Sequence, residues 1–273
     1  MKSFRIASVF VAAAFVAAGC GRASSEPSGL SPERQRAVRE TLHREIQPVA
    51  LKNCDLKRYG SKHDGGYLMC ANLTPGVEAA YSYGIDQEDN WGCDVARELS
   101  VPLHQYDCFT EHRPQCPAGA NVTFHDECVG PITERKEGQP FDTIANQITK
   151  NGDSGKSILL KIDVEGAEWD SLMATPDAVL DRIVQMPMEL HGVNDQRFVD
   201  TIQKLKRTFY VVNLNYNNWA CTADAAPLLS TAYQVLLVNK RVGVLDPSVT
   251  PPAPLSPLNA PDNARQPECA PSP

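Results

Sequence analysis

Positive charge is the first shortage in this chain: 26 Lys and Arg face 33 Asp and Glu, a formal net charge of −7 over 273 residues. Binding driven by phosphate neutralisation needs the opposite balance, so nucleic acid is not an expected partner. Long apolar runs are also lacking. The one present, Ile6 to Ala18 after Lys2 and Arg5, is too short to cross a bilayer and has the shape of an export-signal core. No CxxC pair occurs and the six histidines show no metal-ligand spacing, so no metal centre is expected. No internal repeat is present. A hydrophobic content of 42% with 22% charged residues nevertheless suits one sizeable folded core and excludes disorder throughout.

The leader ends Val16-Ala17-Ala18-Gly19-Cys20, which resembles the lipobox of bacterial lipoproteins. That resemblance implies removal of residues 1–19, a lipidated Cys20 as first mature residue, and an exported chain on the cell envelope, facing the periplasm or the cell surface. An ordinary cleaved leader is the alternative. The mature chain would carry −9 and no polybasic segment, so membrane attachment would rest on the lipid chains. Eight cysteines remain, Cys54, Cys70, Cys93, Cys108, Cys116, Cys128, Cys221 and Cys269, enough for four disulfides with 105 formal connectivities. Cys108, Cys116 and Cys128 crowd one segment and are expected in at least one bridge.

Residues 20–31 read as a Ser/Pro/Gly-rich tether and 246–273, with nine prolines, as a disordered extended tail. Folding is then confined to 32–245. Ser31-Pro32-Glu33 reads as a helix start, with Val38, Leu42 and Ile46 at helical spacing. Strands are expected near 79–85, 101–107, 121–126, 157–163, 182–190, 208–214 and 232–239. Helices are expected near 91–99, 141–150, 166–174, 195–206 and 223–230. This alternation predicts an α/β fold: a doubly wound, mostly parallel seven-stranded sheet of Rossmann-like type, with ligands beyond the carboxyl ends of its strands.

Those strand ends carry the polar residues. After the first strand comes Gly84-Ile85-Asp86-Gln87-Glu88-Asp89-Asn90, a turn with one glycine that is not GxGxxG and is too acidic for a pyrophosphate. The second strand ends at Asp107, where a carboxylate commonly accepts ribose hydroxyls; a solvated strand-end acid is the alternative. The fourth gives Lys161-Ile162-Asp163-Val164-Glu165-Gly166, and alternation points Lys161 and Asp163 the same way. The fifth ends Met188-Glu189-Leu190-His191, with Glu189 and His191 on one face. Three carboxylates and an imidazole at one place would raise carboxylate pKa values and poise His191 near neutral pH for acid–base work.

The run LLKIDVEGAEWDSL closely resembles the motif after the fourth strand of FkbM-like S-adenosylmethionine-dependent methyltransferases. AYSYGIDQEDNWGCDVA resembles the first strand and loop of a related branch of methyltransferase-like domains, and KRYGSKHDGGYLMC, QMPMELHG, NLNYNNWAC and YQVLLVNK extend the likeness over about 54–240. The resemblance implies a class I methyltransferase fold with the cofactor's methionine part over Gly84 and Asp86. It places ribose at Asp107, adenine near His125 and Asp126, and Asp64-Gly65-Gly66-Tyr67 as a turn over the cleft. The resemblance further implies O-methylation of an unknown acceptor, with catalysis falling to Asp163, Glu165, Glu189 and His191. Two other readings stay open: a non-catalytic envelope binding protein that reuses this scaffold, and a metal-dependent hydrolase with those four residues as ligands.

Overall fold

The computed structural model describes residues 29–110, 112–249 and 258–271; the leader, Cys20 and most of the tether lie outside the described residues. Helix α1 (Pro32–Glu45) begins as its sequence predicts, with Ser31 accepting from the Arg34 amide and Pro32 in the first turn. Val38, Leu42 and the following Ile46 bury its apolar stripe.

A mixed sheet of seven strands forms the centre. In chain order its strands are β1 (Ala79–Tyr83), β2 (Leu103–Tyr106), β3 (Val122–His125), β4 (Ile158–Ile162), β5 (Ile183–His191), β6 (Phe209–Tyr216) and β7 (Ala232–Asn239). The spatial order is β6-β7-β5-β4-β1-β2-β3. Strands β1 to β5 pair in parallel, whereas β7 is antiparallel to both β5 and β6. Between β6 and β7 the expected helix near 223–230 shrinks to a 3₁₀ turn at Ala223–Ala225.

Helices α2 (Asn90–Leu99), α3 (Ile144–Lys150), α4 (Glu168–Ala174), α5 (Asp177–Leu180) and α6 (Gln196–Thr208) flank the sheet. One apolar cluster joins α1, α4 and α6 to the sheet and contains the Trp169–Phe198 stack, with ring centroids 4.4 Å apart. The opposite cluster includes Tyr67, Met69, Trp91 and Leu103. It is built by α2 and by an antiparallel hairpin of Leu56–Gly60 and Gly66–Cys70, which periodicity does not reveal. With both faces covered, β4 and β5 are buried along nearly their whole length, as continuous apolar runs require.

All eight described cysteines are paired, as Cys54–Cys70, Cys93–Cys116, Cys108–Cys128 and Cys221–Cys269. Such pairing matches an exported, non-cytoplasmic chain. Among the described residues no helix is long and apolar enough to cross a membrane.

The proline-rich end departs from the expected free tail. Residues 258–271 lie on the domain, with Asp262, Asn263 and Cys269 buried. Proline density forbids regular structure but not packing: Asn218 Nδ2 donates to the carbonyls of Asn263, Gln266 and Pro267, and the Cys221–Cys269 bridge fastens the segment.

Candidate functional site

Strand order runs outward in opposite directions from β1 and β4, so the switch point of the sheet lies between them. Their carboxyl ends touch through backbone. Gly84 has φ of 74°, and a Cβ there would come within 1.6 Å of the Asp163 carbonyl oxygen. The glycine therefore serves this strand contact. Lys161 Nζ donates to the carbonyls of Tyr83 and Gly84 and lies 3.7 Å from Asp163 Oδ2. Tyr67, on the hairpin, donates its hydroxyl to the same oxygen at 2.8 Å.

A cavity of about 310 Å³ opens at this end of the sheet, lined by Asp64, Asp163, Glu165, Glu189, His191, Asn217 and Trp219, with two alanines. All four residues expected to be catalytic thus meet in one place, as does Asp64 of the expected turn. Glu189 is 4% exposed. Its Oε1 accepts from Asn217 at 2.6 Å and its Oε2 from Gln234 at 3.2 Å. His191 Nε2 stands 3.4 Å from Glu165 Oε2 and 3.7 Å from Glu189 Oε1. Glu168, fully buried, accepts from the His191 backbone amide at 2.7 Å and sits 3.3 Å from His191 Nδ1.

Charge states follow from this crowding. Burial, reinforced by Asp163 and Asp262, pushes Glu189 up to about 8. For His191 burial alone would lower the pKa, but the carboxylates of Glu168, Asp163 and Glu189 overcome it and hold the imidazolium up to about 10. The surrounding carboxylates therefore favour the imidazolium over the near-neutral imidazole that the motif suggests. Glu165 and Asp64 are raised chiefly by burial. Asp262, from the C-terminal segment, is pushed up to about 7 by burial and by Asp64.

The expected cofactor contacts lie apart from the cavity wall. Asp107 is surrounded by its own chain: Oδ2 accepts from the amides of Ile85 and Asp86 at 2.8 and 3.0 Å, and Oδ1 from those of Phe109 and Thr110 at 2.8 and 3.0 Å. Four donors fill a carboxylate's acceptor capacity. Asp86 is exposed, with φ of 52°. Asp126 is exposed, and the neighbouring His125 ring stacks on Tyr106 with centroids 4.3 Å apart.

Sequence reasoning missed Glu168, Asn217, Trp219 and Asp262. Glu168 lies inside the fourth-strand motif, but as a helix-start acid it gave no sign that it would reach the end of β5. Asn217 and Trp219 belong to the NLNYNNWAC run, where no spacing marks them. Asp262 stands in a segment whose composition argues against packing.

Metal-ligating geometry is also present: the carboxylate oxygens of Asp163 and Glu189 and a ring nitrogen of His191 all lie within 4.8 Å of one another. No model of a known protein family matches this chain, and no curated protein matches it either.

Proposed function

We propose that this chain is an S-adenosylmethionine-dependent methyltransferase that methylates a hydroxyl of its acceptor, held at the cell envelope by a lipid on Cys20. The supporting observation is the meeting of the LLKIDVEGAEWDSL motif with the end of β5. That meeting gathers Asp163, Glu165, Glu189 and His191 around one cavity at the switch point of a seven-stranded α/β sheet.

The donor set fits the cationic end of this cofactor, since a sulfonium and an ammonium are answered by carboxylates, and four of them line the cavity beside Gly84. Asp163 and Asp64 would hold that end. The ribose contact expected of Asp107 does not fit a carboxylate already saturated by four amides, so Asp107 shapes the loops at 84–86 and 108–110 instead. When bound, S-adenosylmethionine supplies a methyl group attached to positively charged sulfur, open to in-line attack. The protein's tasks are alignment of the acceptor and removal of its proton. Glu189, whose carboxyl is made more basic by burial and by Asp163, would accept the hydroxyl proton. His191 supplies the positive charge that steadies the ionised form, and Glu168 fixes the imidazole's orientation.

Titration calorimetry of the mature, disulfide-bonded chain with S-adenosylmethionine and S-adenosylhomocysteine tests the reading. Binding with a Kd of roughly micromolar order is expected. No heat of binding even at about 1 mM would overturn it in favour of a non-catalytic envelope binding protein, the reading that the saturated Asp107 favours.

A further inference from the structure

We propose that Asp163, Glu189 and His191 bind one divalent cation of the Mg²⁺/Mn²⁺ class, which holds the acceptor hydroxyl in the cavity. The inference rests on the reading of that cavity as the acceptor site; the cation replaces the His191 proton as the positive charge beside Glu189, and the Glu189 oxygen that does not ligate it keeps the role of base.

Three features carry it. First, the three side chains come from adjacent strand ends and already bring one ligand atom each within 4.8 Å of the others. Cation–ligand distances of about 2.1 Å place neighbouring ligand atoms roughly 3 Å apart, so small side-chain rotations close the ring.

Second, the imidazole is arranged as a ligand, the cation displacing the proton that Nε2 carries in its absence. Its Nδ1 faces the fully buried carboxylate of Glu168 at 3.3 Å, while Nε2 is turned into the cavity between Glu165 and Glu189. A carboxylate behind the far ring nitrogen is the usual support of a metal-bound histidine.

Third, a buried acceptor beside the cluster is unanswered. Asp262 is 4% exposed and its Oδ2 has no hydrogen-bond partner. Its Oδ1 takes the Gln234 amide at 2.9 Å, the same amide that donates to Glu189 Oε2. A further carboxylate is thus fixed next to Glu189, where burial and Asp64 raise its pKa against the opposing charge of Arg58. A buried carboxylate oxygen without a donor is costly, and a water molecule on a neighbouring cation supplies that donor.

The ligand set selects the metal. Two carboxylates and one imidazole favour a hard or borderline cation, and every described cysteine is committed to a disulfide. Protein side chains fill only three positions, leaving the remainder open to the cavity and to the acceptor that passes Trp219, which is 61% exposed.

The test is titration of the full mature chain with Mn²⁺, followed by loss of the free-ion signal in electron paramagnetic resonance. One site is expected, displaced by Mg²⁺ and weakened about tenfold or more by Asp163→Asn and by Glu189→Gln. The exposed Glu137→Gln should bind as wild type. In the unmodified protein, imidazole NMR signals of His191 should broaden at substoichiometric Mn²⁺, before those of His43 and His112; this measurement needs no variant. Absence of a site at about 1 mM Mn²⁺, unchanged binding in both variants, or earlier broadening at another histidine would overturn the proposal. Calorimetry with S-adenosylmethionine in the presence of a chelator separates the two ideas. Retained cofactor binding without a Mn²⁺ site removes the cation alone, and a Mn²⁺ site without cofactor binding removes the methyltransferase reading.

Discussion

The Cys221–Cys269 bridge gives the packed C-terminal segment a measurable weight. It closes a loop with a sequence separation of 48, clear of the other three bridges, which lie before residue 129. Loop-closure entropy for that length corresponds to about 4 kcal/mol at 25 °C in the chain-entropy account. The double variant Cys221→Ser/Cys269→Ser, which leaves no unpaired thiol, should lose about that much. Asn218 does not compensate, because its three carbonyl partners lie on the released segment. At about 2–4 °C per kcal/mol for a domain of this size, the thermal midpoint should fall by roughly 8–16 °C. Differential scanning calorimetry of both proteins, oxidised and at equal pH, reads the difference. A fall of less than about 2 °C would refute the argument, because residues 258–271 would then add nothing to the folded domain.

Two further outcomes follow from buried carboxylates. Asp262 has its folded pKa raised to about 7 from 3.8, so its contribution is present below pH 3.8 and is lost as pH rises toward 7. Asp262→Asn should therefore gain stability over wild type between pH 4 and 7, on the order of a few kcal/mol, measured by denaturant midpoints; parallel pH curves would contradict this. Asp107→Ala removes the acceptor of four backbone amides and should lower stability by about 2–4 kcal/mol in thermal or denaturant unfolding. Unchanged stability with weakened S-adenosylmethionine binding would instead return Asp107 to the ribose.

Much of the sheet was legible. Strand β4 at Ile158–Ile162 falls inside the expected 157–163, and β7 at Ala232–Asn239 coincides with its expected span, because buried apolar runs of strand length announce themselves. The hairpin of Leu56–Gly60 and Gly66–Cys70 did not, since its five-residue strands are short and one is covered on both faces, leaving no alternation to read. The gathering of Asp163, Glu165, Glu189 and His191 was legible for the same reason as β4 and β5: strand-end position and alternation are local properties. Glu168 and Asp262 were not, because each acts on a residue far from it in sequence.

The sequence by itself determined which residues form the strands, which side chains stand at their carboxyl ends, and where the first helix begins, all through patterns spanning a few neighbouring residues. Only the tertiary structure decided what those side chains meet. The four cysteine pairings, the antiparallel β7 and the docking of residues 258–271 depend on distances between segments remote along the chain. The charge on His191 is the clearest case. An isolated imidazole titrates near 6.5, and the imidazolium is favoured at this site because the fold brings Glu168 from α4, Asp163 from the end of β4 and Glu189 from its own strand around it. Coulombic attraction depends on separation in space, which no local pattern contains.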